Sequence, residues 1–282
     1  MGTKVAFVAH GFADDYFTPW WRPVRTKFEG WGYEIVEVSF DGLARTIDSP
    51  RKYAELVEVR VEEMYDALEE EYEGAEIVVV GHSMGGMVAR YFVERLGYDD
   101  VVDRIVTFGS PHQGTWMALP LSLPVIGTGG ARDLMPGSQF LEMLNRDGLS
   151  EDVDYAAVYT LNDPLILPKE NAALPELNDG DVNIRVGRSL IEVGAETLDC
   201  NGDGDAAVVS GRRGFRREDL LTGHLTMFYN DDTWEGVAEF LGVDDVGESV
   251  SGDLMRDVRD DARWAAEGAV DRVRDAVASV VD

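Results

Sequence analysis

The sequence predicts an α/β protein: a mostly parallel central sheet covered by helices on both faces. Two observations carry this. Apolar runs of strand length alternate with helix-length segments, which sets successive strands side by side with crossover helices packed over them. At 282 residues and 45% hydrophobic content, the chain is also long enough to bury one large core. The clearest strands are Val5–Ala9, Glu34–Ser39, Glu76–Val80, Arg104–Phe108 and Tyr155–Thr160. A helix is marked by Ser49 as N-cap, Pro50 at the first helical position, Tyr53, Leu56, Met64 and Leu68 among charges, and Gly74 past its end.

Between His112 and Ser150 the alternation breaks. The stretch from Trp116 to Gly130 is apolar, punctuated by proline and glycine, and follows neither a strand nor a helix period. Large apolar side chains on a loop need an apolar contact, so residues 112–150 are expected to form a lid-like insertion that meets substrate. The plainer alternative is a buried irregular connection. Past Leu241, the residues Leu254, Val258, Ala262, Ala265, Val270, Val273 and Val277 recur near helical spacing. The organisation expected is therefore a main domain over 1–242 and an amphipathic helical extension over 243–282. That extension either docks back on the domain or forms a dimer contact.

Charge narrows the function classes. Lys+Arg is 25 against Asp+Glu 54, a net charge of -29, which disfavours nucleic-acid and anionic-membrane partners. Lysine is confined to Lys4, Lys27, Lys52 and Lys169. An acidic, lysine-poor surface suits concentrated salt, where the Debye length shrinks to roughly 3 Å at 1 M and self-repulsion is screened. Cys200 is the single cysteine, so no intrachain disulfide forms. No apolar signal region and no run long enough to span a bilayer is present. The expectation is a soluble protein, cytoplasmic or secreted and written in mature form, from a salt-rich environment.

The chemistry centres on Gly81-His82-Ser83-Met84-Gly85-Gly86, placed between a strand-like run and the helix-like Met87 to Val93. A serine hydroxyl is a weak nucleophile, and a sharp strand-to-helix turn holds it out of the sheet where a base can reach it. Small neighbours leave the room it needs. The chain has four histidines: His10 and His112 lie in loops after strands, His82 is in the turn itself, and His224 alone is in the C-terminal third. Acidic candidates stand between Ser83 and His224, so the chain order Ser, Asp, His is available.

These segments resemble the α/β-hydrolase superfamily, and within it the bacterial-type lipases and esterases. The resemblance rests on Val8 to Phe12, on Gly81 to Gly86, on Gly109-Ser110-Pro111-His112-Gln113-Gly114-Thr115, on the segment from Met135 through Asn145 to Asp163, and on Gly223-His224-Leu225. It implies the α/β-hydrolase fold, with Ser83 as nucleophile, His224 as base, and an oxyanion hole built from the backbone N–H groups of Phe12 and Met84. It places the acid at Asp163, after the strand ending at Thr160. Asp205 is the rival, because some lipases carry their acid in a similar aspartate, glycine and valine turn.

Asp199, Asn201, Asp203 and Asp205 also place oxygen donors at alternate positions around a glycine, an arrangement that wraps calcium. Ser210 stands where the bidentate glutamate belongs, which weakens that reading; a solvated acidic turn is the alternative. Calcium or a solvated turn each accounts for Asp205 without a triad role, so Asp163 is preferred as the acid. The expected function is a serine carboxylic-ester hydrolase for apolar acyl esters or lipids, needing no cofactor beyond structural calcium. An acyltransferase or thioesterase with the same triad, or a silent fold that binds lipid or a partner, are the alternatives.

Overall fold

The computed structural model describes residues 3–11, 21–37, 74–119, 129–187, 207–208, 223–247 and 249–250. Seven strands form one sheet: β1 Lys4–Ala9, β2 Glu34–Glu37, β3 Glu76–His82, β4 Arg104–Phe108, β5 Asp154–Tyr159, β6 Val182–Arg185 and β7 Ala207–Val208. Their order is β2-β1-β3-β4-β5-β6-β7, and every neighbouring pair is parallel. The first five match the strands expected from apolar runs, with β3 extended to His82. The last two have no counterpart among those runs. β6 carries Asn183 in its middle, whose Oδ1 accepts from Leu174 N–H and whose Nδ2 donates to Leu174 O. β7 is too short to show a period.

The sheet is apolar on both faces, as a parallel sheet under crossover helices must be. Val5, Phe7, Val79, Ile105 and Tyr155 share one core with Met87, Val88 and Phe92 of the helix α2, Met84–Leu96. Ala6, Val8, Val80, Val106 and Val158 point the other way. They meet Val24 and Phe28 of α1, Trp21–Gly30, and Trp234 and Val237 of the C-terminal helix, Asp231–Leu241. Trp234 is fully buried against Phe108 and Phe228. Burying each such large side chain stabilises the fold by about 1.5–3 kcal/mol.

Between β4 and β5 the chain forms a 3-10 turn, Trp116–Ala118, and two short helices, α3 Gly129–Asp133 and α4 Gln139–Leu144, so the helix Asp231–Leu241 is α5. Ser138 caps α4 by accepting from Leu141 N–H, and Asn230 caps α5 by accepting from Asp232 N–H. Among the described residues, no helix is long and apolar enough to cross a membrane. The expected helix from Ser49 to Gly74, most of residues 120–130 of the lid-like stretch, and the amphipathic extension from Leu254 to Val277 lie outside the described residues. Because all strands run the same way, the loops after β1, β3, β4 and β5 gather at the carboxyl end of the sheet, which is where parallel sheets place their ligand crevice.

Candidate active site

Ser83 follows β3 with φ 54° and ψ -121°, and is the one non-glycine residue with positive φ among those described. Such a conformation costs about 1–3 kcal/mol and persists only where the surroundings impose it. They do so by close backbone approach. A Cβ on Gly85 would lie 2.1 Å from Ala9 O, and one on Gly81 would lie 2.4 Å from Gly86 N. Only glycine lets β1, the turn and α2 come this close. Ser83 N–H donates to Phe108 O at 2.8 Å, which ties the turn to β4. Ser83 occupies the N-cap position of α2 yet makes no side-chain capping bond, so its hydroxyl is not spent on the helix. Met84 begins α2, and its N–H is one of the helix-initial donors with no intrahelical acceptor.

His224 sits on the turn before the 3-10 segment Met227–Tyr229 and is buried. Its Nδ1 is 2.6 Å from Asp163 Oδ2, joining residues 61 apart in sequence. Asp163 is fully buried. Its other oxygen, Oδ1, accepts from Leu165 N–H at 2.7 Å and Ile166 N–H at 3.2 Å, while Lys169 Nζ donates to its backbone carbonyl. A carboxylate with both oxygens occupied is fixed in orientation, and it fixes the imidazole in turn. The His224 ring lies 4.9 Å from the ring of His82, the residue preceding the serine. A Cβ on Gly109 would lie 3.0 Å from His224 Nδ1 and 3.1 Å from Met227 Cε, so the β4 turn lies directly against the imidazole.

The loops after β4 and β5 are laced together, chiefly through Thr115. Its hydroxyl donates to Leu165 O at 2.8 Å and accepts from Leu167 N–H at 3.0 Å and Met117 N–H at 3.2 Å. Trp116 N–H donates to Leu167 O, and Asn171 Nδ2 donates to Gly114 O. Ser83, Met117, Ala118, Ala131, Leu134 and Leu165 then surround a cavity of about 120 Å³. A larger cavity, about 310 Å³, opens beside Arg90, Glu142 and Asn145 and does not include Ser83. The smaller one contains Ser83. Of its lining residues, Met117 and Leu165 are exposed.

The structure thus brings Asp163 and His224 into contact and sets Ser83 one residue from the histidine that His224 packs against. Phe12, Asp205 and the remaining calcium candidates Asp199, Asn201 and Asp203 lie outside the described residues. Among the described residues, no cluster of His, Cys, Asp and Glu is arranged for a metal. His10 and His112 order their loops. His10 Nδ1 lies 3.1 Å from Gly11 O, and His112 Nε2 lies 3.0 Å from Thr107 Oγ1, with its carbonyl accepting from Asn145 Nδ2. Complete burial, reinforced by the charge of Arg90, holds the His112 imidazole well below the usual histidine range. Thr115 falls in a segment the sequence singles out, but its bonding role, like that of Lys169, is not readable there, because their partners come from a different loop or from the backbone.

Comparison with known proteins agrees with this architecture. The PGAP1-like alpha/beta domain family matches residues 40–123, under half of the chain. No curated protein matches it. Among solved structures, lipase BlEst2 of Bacillus licheniformis in propeptide form is similar with a TM-score of 0.51 and 17% identity, over 73% of this chain and 53% of that one. The chain has the α/β-hydrolase fold. The mature form of the same lipase matches with a TM-score of 0.44 and 17% identity, over 57% of this chain and 66% of that one. A gene product of Listeria innocua matches with a TM-score of 0.49 and 12% identity, over 85% and 94%. The α/β-hydrolase fold seen here thus spans about half to two thirds of the length of the two lipase structures.

Proposed function

We propose that the chain is a serine carboxylic-ester hydrolase with Ser83 as nucleophile, His224 as general base and Asp163 as the orienting acid. The observation that carries this is the buried 2.6 Å pair between Asp163 and His224, packed against the turn that holds a strained, uncapped serine. In the cycle, His224 takes the Ser83 proton as Oγ bonds to the ester carbonyl carbon. The carbon–oxygen bond to the alcohol then breaks, and His224 returns the proton to the leaving oxygen. Water, deprotonated by the same histidine, attacks the acyl-serine and releases the acid. Asp163 holds His224 with Nε2 as the working nitrogen and stabilises the imidazolium that forms. The tetrahedral oxyanion is assigned to the N–H of Met84, at the N-terminus of α2, and to that of Phe12; such a donor contributes about 3 kcal/mol in the transition state.

An ester with an apolar part suits the aliphatic walls of the cavity at Ser83. Salt adaptation belongs to the same proposal. Each described lysine has a fixed duty: Lys4 pairs with Glu76 and lies over Tyr33, Lys27 donates to Val246 O, and Lys169 holds the Asp163 carbonyl. Lysine is kept where a contact requires it, and the rest of the surface is left to acidic residues and arginine. The test is hydrolysis of p-nitrophenyl esters at low and multimolar sodium chloride, with Ser83→Ala as control. Turnover lost by at least about 10⁴-fold in Ser83→Ala supports the mechanism. Equal turnover in that variant removes it, and activity that falls in multimolar salt removes the salt-adapted part.

A further inference from the structure

We infer that the cavity at Ser83 is an acyl pocket sized for short chains, with an alkyl tail of about three to five carbons beyond the ester carbonyl. This inference rests on the ester-hydrolase proposal. The side of the serine on which the cavity lies identifies which half of the ester it takes. The leaving alcohol must be within reach of His224, since that residue supplies its proton. His224 is on the side of Gly109 and Met227, where a Cβ on Gly109 would meet both. None of these three residues lines the cavity, whose walls are Ser83, Met117, Ala118, Ala131, Leu134 and Leu165 along with the Thr115 side chain. The cavity therefore receives the group that stays on the serine, which is the acyl chain.

Volume sets the length. The cavity measures about 120 Å³. An apolar cavity of about 150 Å³ accommodates benzene, so this one accommodates roughly four to five carbons. Ala118, Ala131 and Leu134 line it and are buried, so its inner wall is apolar. Met117 and Leu165 are 43% and 44% exposed, so carbons past the mouth rest on half-wet surface and bring less than those inside. Within the pocket each methylene is worth about 0.8 kcal/mol, close to a fourfold gain in kcat/KM.

The test is kcat/KM for p-nitrophenyl acetate, butanoate, hexanoate, octanoate and decanoate, with the alcohol held constant. A rise of roughly 15-fold from acetate to butanoate, a maximum at butanoate or hexanoate and no further gain at decanoate supports the pocket. A continuous rise through decanoate, or no dependence on length, overturns it. Leu134→Ala should move the maximum to octanoate, and Ala131→Leu should lower the hexanoate-to-acetate ratio at least tenfold; a maximum unmoved in a folded Leu134→Ala variant overturns the assignment. If no ester is turned over, the hydrolase proposal falls and the pocket is read separately. Methyl resonances of Met117, Ala118 and Ala131 should then still shift on addition of 1-butanol, and their failure to shift removes the pocket as well.

Discussion

The serine turn is shaped chiefly by glycines within two residues of Ser83, whereas the proposed acid and base, Asp163 and His224, meet across 61 positions. At the turn, the geometry follows from what the immediate neighbours lack. Gly81 and Gly85 have no Cβ to hold β1, β3 and α2 apart, and Ser83 is pressed into positive φ between them. The Asp163 and His224 limb has no such local cause. Its shape comes from hydrogen bonds that cross between loops: Leu165 and Ile166 N–H onto Asp163, Lys169 onto its carbonyl, and Thr115 between the β4 and β5 loops. The proposed nucleophile is set chiefly by close approach, with one backbone bond to Phe108. Orienting a base requires a framework.

The largest effect should come from breaking the framework at its centre. Asp163→Asn leaves a group that offers an N–H or a carbonyl where a carboxylate accepted, so His224 is free to take the unproductive tautomer. Turnover should fall about 10⁴-fold with thermal stability little changed. Asp205→Asn, assayed beside it, should lose no more than about tenfold. The reverse pattern would transfer the acid role to Asp205 and leave the Asp163 pair as packing.

The turn is broken by filling its space. In Gly85→Ala the new methyl would lie 2.1 Å from Ala9 O and 2.7 Å from His10 O, which are backbone atoms of a central strand and the loop after it. Neither can move aside without shifting β1, so a loss of about 3 kcal/mol or more is expected, seen as a lowered urea midpoint. A variant as stable as the parent would show that the turn is held by something other than close approach. The two halves should thus fail differently, the framework in rate and the turn in stability.

The same contrast decides which features are legible in the amino-acid sequence. β1, β3, β4 and β5 are visible there because both faces are apolar and the runs are long, and the serine turn is visible because its causes lie within it. Asp163 is visible only as one of two acids in the right order, since a carboxylate becomes a partner through a contact that primary structure does not contain. β6 is hidden by Asn183, a polar residue made tolerable by its two bonds to Leu174. The cavity is legible only in part: the apolar stretch after His112 suggests a cap that meets substrate, but that Met117 and Ala131 join Leu165 around Ser83 depends on Thr115 drawing the loops together.

The smallest expected effect probes the framework without touching the reacting groups. His112 packs in the β4 loop with no exposed surface, and its Nδ1 has no hydrogen-bond partner among the described residues. Thr107 donates its hydroxyl to Ala156 O, so it accepts from His112 Nε2, which must carry the proton of a neutral ring. Burial, and after it the charge of Arg90, depresses the affinity of the folded state for a second proton. The unfolded chain takes that proton below about pH 6.5, while the folded chain does not. Stability contributed by neutral His112 is therefore fully present above that pH and lost as pH falls, by about 1.4 kcal/mol per unit. His112→Gln keeps a donor toward Thr107 and cannot titrate. Its melting temperature should fall less between pH 7.5 and pH 5 than that of the parent, whatever the offset between the two at pH 7.5. Parallel pH profiles would mean that the loop opens enough for His112 to be protonated in place, and that the lacing around Thr115 is looser than its hydrogen bonds imply.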